Sequence, residues 1–179
     1  MSVLTDEILQ HRMNMDMTHK DLIKKLAAIK KLGVEKRIDK ERILIKDGIN
    51  LFLFTLYLGI KSNTRIKPQN LEELAVRGWA KNKKQYFYLI ALILAKPEVQ
   101  MELGLHDPET IKKRVSNEEG YQKPELLSRK IKQLCNEYSA GGLEFLNEEY
   151  KKDPSIIDDH ATVDIEKIKK ILEEINKPK

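Results

Sequence analysis

The residues able to do chemistry in this chain fall mostly in one short stretch. Between positions 61 and 84 stand Lys61, Arg65, Lys67, Arg77, Lys81, Lys83 and Lys84 against only Glu72 and Glu73. That surplus of five positive charges equals the net charge of the whole 179-residue chain, +5, so the flanks cancel one another. Trp79 and Tyr86 lie alongside the basic residues. Positive charge attracts phosphate backbones and releases their counterions, while aromatic faces stack on exposed bases. The pattern points to nucleic-acid contact by Lys61, Arg65, Lys67, Arg77, Trp79, Lys81, Lys83 and Lys84. The same residues also fit a solvated connector in which Trp79 only seals the core.

Other candidates are isolated. His11, His19, His106 and His160 lack the spacing of metal ligands, and Asp158, Asp159 and His160 form an acidic turn rather than a set of spaced ligands. Cys135 sits beside Leu134 and Ile131, where a small thiol packs as a hydrophobe. Glu149 and Lys151 have the Glu-x-Lys spacing of metal-dependent nucleases, but that motif needs a strand scaffold and a preceding metal-binding Asp. Arg12 and His19 have a spacing that resembles the Arg-x6-His motif of HEPN-type ribonucleases, which are also helical. No phosphate-cradling glycine loop or dinucleotide fingerprint is present. No catalytic constellation, metal site or cofactor site is therefore expected.

The elements that must carry these residues read as helices. Lys, Glu, Leu and Ile dominate, while Gly (8) and Pro (6) are few. Leu22, Leu26 and Ile29 recur at helical spacing from Thr18 to Gly33, which predicts a helix over 19–32. The charged stretch 34–46 leans towards helix. Ile49 to Ile60 is apolar on all sides, with Asp47 as its cap, and must be surrounded by other helices. Residues 61–67 read as a basic loop closed by Pro68. Asn70 then caps a short helix with Leu71, Leu74 and Val76. Tyr86 to Leu94 forms a second apolar helix ending before Pro97, and Asp107 with Pro108 opens another. Pro124 starts a helix that Gly141 and Gly142 end, Leu143 restarts a short one, and Thr162 caps the last, with Ile165, Ile168, Ile171, Leu172 and Ile175 on one face.

These elements predict an all-α fold, a compact bundle of about seven helices in a single domain over residues 1–179, with residues 1–18 loosely ordered. The Ile49–Ile60 and Tyr86–Ala95 helices form its heart. A lone cysteine and an N-terminus without a basic and then apolar run predict a cytoplasmic protein. The most apolar run spans twelve residues against the ~20 needed to cross a bilayer, so no membrane association is expected.

Three segments carry a resemblance. Asp47 to Gly59, Leu89 to Ala95, and Asn136-Glu137-Tyr138-Ser139-Ala140-Gly141-Gly142-Leu143-Glu144-Phe145-Leu146 together resemble the small accessory proteins encoded beside bacterial DNA-phosphorothioation (Dnd) systems. The signature of that family reads approximately Glu-Tyr-Ala-Asn-Gly-Gly-Leu-Glu-Ile-Leu. Here Glu137, Tyr138, Gly141 and Gly142 match, whereas Ser139-Ala140 replaces Ala-Asn. The resemblance covers about residues 40–160 and implies an accessory role in DNA modification, restriction or phage defence, with DNA or a protein of a DNA-modification complex as partner. It supplies no catalytic residues and no cofactor. The competing readings are a helical ribonuclease using Arg12 and His19, and an interaction adaptor that offers the apolar stripe of its last helix to a partner.

Overall fold

The computed structural model describes residues 13–27, 42–45, 48–74, 79–116, 124–158 and 162–177. Among these, seven α-helices occur: α1 (Lys20–Ala27), α2 (Gly48–Lys61), α3 (Trp79–Leu94), α4 (Pro97–Leu103), α5 (Pro108–Ser116), α6 (Pro124–Lys152) and α7 (Ile165–Ile175). The fold is mainly helical but not purely so. Four three-residue strands are present, β1 (Asn14–Asp16), β2 (Arg42–Leu44), β3 (Leu71–Glu73) and β4 (Thr162–Asp164), with β1 antiparallel to β3 and β2 antiparallel to β4. Met15 faces Glu72 across the first pair, and Ile43 faces Val163 across the second. The all-α expectation is corrected accordingly.

Two of the strands replace expected helix. The Asn70-capped helix is β3, and the part of 34–46 that is described contains β2. The Asp16 carboxylate explains the first change. It accepts hydrogen bonds from the N–H groups of Thr18, Gln69 and Asn70, which pins the chain before β3 against β1 in extended form. Burial pushes that carboxyl up, yet the bonds from Thr18, Gln69 and Asn70 outweigh it and hold Asp16 below the ordinary carboxylate range. The expected caps at Gly33 and Asp47 lie outside the described residues. Asp107 does cap α5, accepting from the Thr110 N–H at 2.8 Å, whereas α7 is capped by Asp164 (3.0 Å to the Lys167 N–H) because Thr162 is taken up in β4.

Helix α2 is apolar all round because it runs through the middle of the molecule. Phe52 and Leu56 belong to one buried cluster with Met13, Tyr86, Ile90 and Ile93, while Leu51 and Leu58 belong to a second with Leu22, Leu26, Leu146 and Val163. Its main partner is α6, not α3 as expected, although α3 packs on it too. Helix α6 passes straight through Gly141 and Gly142, so the expected stop and restart there are corrected to one 29-residue helix. Gly142 and Gly59 serve the crossing with α2, and Gly141 the approach of the loop after it. A Cβ at Gly59 would collide with the Tyr138 carbonyl oxygen, and one at Gly142 with the Thr55 carbonyl oxygen, while lying 2.6 Å from Gly59 N. Beside them the hydroxyls of Thr55 and Ser139 hydrogen-bond at 2.7 Å in the buried seam.

Helix α7 places Ile168 and Leu172 in the second cluster, leaving Ile175 exposed. Ile168 and Leu172 of its apolar stripe are therefore core, while Ile165 and Ile171 are half-buried. No helix among the described residues is long and apolar enough to cross a membrane.

Candidate nucleic-acid interface

Helices α2, α3 and α7 leave an open groove on the surface. One half, of about 510 Å³, is bounded by Asn50, Phe54 and Tyr57 of α2 and by Lys84, Gln85 and Tyr88 of α3. The other half, also about 510 Å³, runs between Tyr57 and Lys61 of α2, Leu92 and Lys96 beyond α3's midpoint, and Lys169 and Glu173 of α7. The halves meet at Tyr57. Helical spacing sets this face: Lys84, Tyr88 and Leu92 recur every four residues on α3, as do Leu53, Tyr57 and Lys61 on α2.

Tyr88 is the most exposed of the groove's aromatic rings, at 63%. Tyr57 and Phe54 are half-buried, and the Lys61 ammonium lies 6.0 Å from the centre of the Tyr57 ring. Four lysines, Lys61, Lys84, Lys96 and Lys169, line the groove against one carboxylate, Glu173. Lys169 pairs with Glu166 at 2.8 Å, and Lys96 donates to Asn63 Oδ1 at 2.6 Å and lies 3.9 Å from Glu98. Lys61 and Lys84 have no ion-pair partner among the described residues.

The structure thus sorts the sequence candidates. Lys61 and Lys84 line opposite ends of the groove, Lys83 is exposed next to Lys84, and Lys67 is exposed on the loop after α2. Arg77 lies outside the described residues, and Trp79 and Lys81 are described only as backbone of α3's first turn. Tyr86, expected beside the basic stretch, is buried and donates its hydroxyl to Met13 Sδ at 3.1 Å. The exposed ring is Tyr88, two residues on. The sequence carried a signal for it, a lysine and a tyrosine four apart on each apolar helix, Tyr57 with Lys61 and Lys84 with Tyr88.

Arg65 is engaged elsewhere. Its Nε donates to Glu137 at 2.5 Å, and its Nη1 and Nη2 donate to the two oxygens of Glu102 at 2.6 and 2.9 Å. The guanidinium is raised by these two carboxylates, Glu102 foremost, and in return holds Glu102 below its usual range. Glu137 is buried and also accepts from Gln133 Nε2 at 2.7 Å. Together with the Ile66 N–H bonded to the Glu137 carbonyl, this ties the loop after α2 to α6.

Glu137, Tyr138, Gly141 and Gly142 all do structural work at this place. Glu137 holds Arg65, and the Tyr138 carbonyl meets Gly59. Gly141 leaves room for the backbone of Thr64, and Gly142 for that of Thr55. The Lys96 ammonium rests 5.6 Å from the Tyr138 ring, whose hydroxyl is pushed up by burial and then by Glu98.

The remaining candidates are dispersed. His19 Nε2 lies 2.7 Å from Glu144 Oε2, joining the start of α1 to α6, while Arg12 lies outside the described residues. Cys135 is fully buried and its thiol is pushed up to about 12 by that burial, so it is no nucleophile at neutral pH. Glu149 pairs with Lys152 on α6 at 2.6 Å, and α6 is a helix where the nuclease motif needs a strand. Among the described residues no group of three His, Cys, Asp or Glu could hold a metal ion, and Asp159 and His160 lie outside them. In comparisons with known proteins, no family model, curated protein or solved structure matches the chain.

Proposed function

We propose that this is a cytoplasmic, non-enzymatic binding protein of a bacterial DNA-modification or phage-defence system, and that it contacts nucleic acid through the groove between α2, α3 and α7. One observation carries the reading: the exposed Tyr88 ring and the half-buried Tyr57 ring stand beside Lys84 and Lys61, which have no ion-pair partner among the described residues, with a single carboxylate among the lining residues. Unpaired lysines at a surface neutralise backbone phosphates and release the cations condensed on them, and the released ions drive binding. Arg65 drops out of the expected contact set, because moving it to a phosphate would leave the buried Glu137 carboxylate without its guanidinium. The placement in a DNA-modification system rests on the resemblance carried by residues 47–59, 89–95 and 136–146.

The test is fluorescence anisotropy with a labelled oligonucleotide over a series of salt concentrations. Affinity should fall linearly on a log–log plot, and Lys61→Glu with Lys84→Glu should both weaken binding and lower the slope by about 2, one per lost phosphate contact. Salt-independent binding, or none, defeats the proposal. Metal-free RNA cleavage that His19→Ala abolishes would favour the helical-ribonuclease reading instead.

A further inference from the structure

We infer that the groove selects unpaired nucleic acid over duplex, a reading that rests on the nucleic-acid function proposed above. The two walls advance in step: α2 passes from Asn50 through Tyr57 to Lys61 as α3 passes from Lys84 through Tyr88 to Leu92, with Lys96 just past its end. Tyr57 and Tyr88 therefore occupy the middle of the groove, with Lys84 towards one end and Lys61, Lys96 and Lys169 towards the other. Charge at the ends and rings between is the arrangement that a short strand with its bases turned inward would meet: phosphates on the ammonium groups, base faces on the phenol rings.

A duplex offers the same phosphates but keeps its base faces inside its own stack. It also cannot lower its bases into a cleft between neighbouring helices, whose axes sit only about 8–10 Å apart. It could touch the lysines at the rim and would leave the tyrosines idle. Within α3 the eight residues from Lys84 to Leu92 rise about 12 Å, room for roughly two to four nucleotides. The lysines and rings serve DNA and RNA strands alike, so the shared chemistry is a short single strand of either sugar.

The experiment compares one labelled sequence as single-stranded DNA, single-stranded RNA and a blunt duplex, each titrated with the full chain and with Tyr88→Ala. Tyr88 is mostly exposed, so its replacement leaves the core intact; circular dichroism of the variant verifies this. The expected result is tighter binding of at least one single strand than of duplex, weakened roughly tenfold by Tyr88→Ala with the duplex affinity unchanged. Tyr88→Phe, which keeps the ring, should restore the single-strand affinity. Duplex binding as tight as single-strand binding, or a silent Tyr88→Ala, overturns the inference. If Lys84→Glu still weakens binding in that case, nucleic-acid recognition itself survives. Failure of every probe to bind removes both readings.

Discussion

Replacing Gly142 with alanine separates two opposed effects whose sum depends on the α2–α6 crossing. In an isolated helix, alanine at this mid-helix position is better than glycine by about 1 kcal/mol. Here the new Cβ would lie 2.6 Å from Gly59 N and 2.8 Å from the Thr55 carbonyl carbon, and closer still to the Thr55 oxygen, where ordinary contact begins at 3.4 Å. These are backbone atoms in the middle of α2, so the axes must part by roughly 1 Å, and such a gap forfeits a quarter to a half of the dispersion energy across the seam. The buried Thr55–Ser139 hydroxyl bond, 2.7 Å long, stretches with it. Overpacking of this kind costs about 3 kcal/mol, leaving a net loss of about 2 kcal/mol after the gain in helix preference. For a chain of this size that lowers the melting temperature by roughly 4–8 °C. Urea denaturation followed by far-ultraviolet circular dichroism measures the loss. Gly48→Ala is the control: its Cβ would meet only the end of the Leu74 side chain at 3.2 Å, and its stability should change little. A Gly142→Ala protein as stable as the parent, or more so, would refute the close crossing.

Two further outcomes follow from buried groups. Cys135 should resist thiol reagents at pH 8 in the folded protein and react on denaturation. Its thiol titrates near 12 when buried against an ordinary value of 9.0, so the unfolded chain releases its proton first and stability should fall as pH rises from about 9 towards 12; Cys135→Ala should flatten that part of the profile. Arg65→Met should destabilise the fold by about 2 kcal/mol, reduced from the cost at a fully buried pair because Arg65 is partly exposed. Adding Glu137→Gln should recover part of this loss in a double-mutant cycle, and strict additivity would show that the pair is not coupled.

What the sequence made legible was whatever is decided within a few turns of chain. The apolar circumference of α2, the Asp107–Pro108 start of α5 and the helical face of α7 each follow from neighbours in sequence. The strands were illegible because three residues show no period, and because their pairing joins positions about 60 residues apart for β1 with β3 and about 120 for β2 with β4. Gly141–Gly142 misled for a related reason. Two glycines in a row ordinarily end a helix, but here the backbone of α2 and of the loop after it fills the space their side chains would need, and nothing near them in sequence announces it. The site was half visible: Lys61 and Lys84 could be named, while Lys96 and Lys169 lie outside the basic stretch, and the choice of Tyr88 over Tyr86 as the exposed ring depends on which face of α3 the core takes.

The glycine seam also bears on how the chain can change over generations. At Gly48 the obstacle is a leucine side chain, which a second substitution could trim. At Gly59, Gly141 and Gly142 the obstacle is peptide carbonyl, which every amino acid carries alike. A genetic screen for revertants of Gly142→Ala should therefore yield true reversion, or strengthening at distant sites, and no compensating exchange at Thr55 or Gly59.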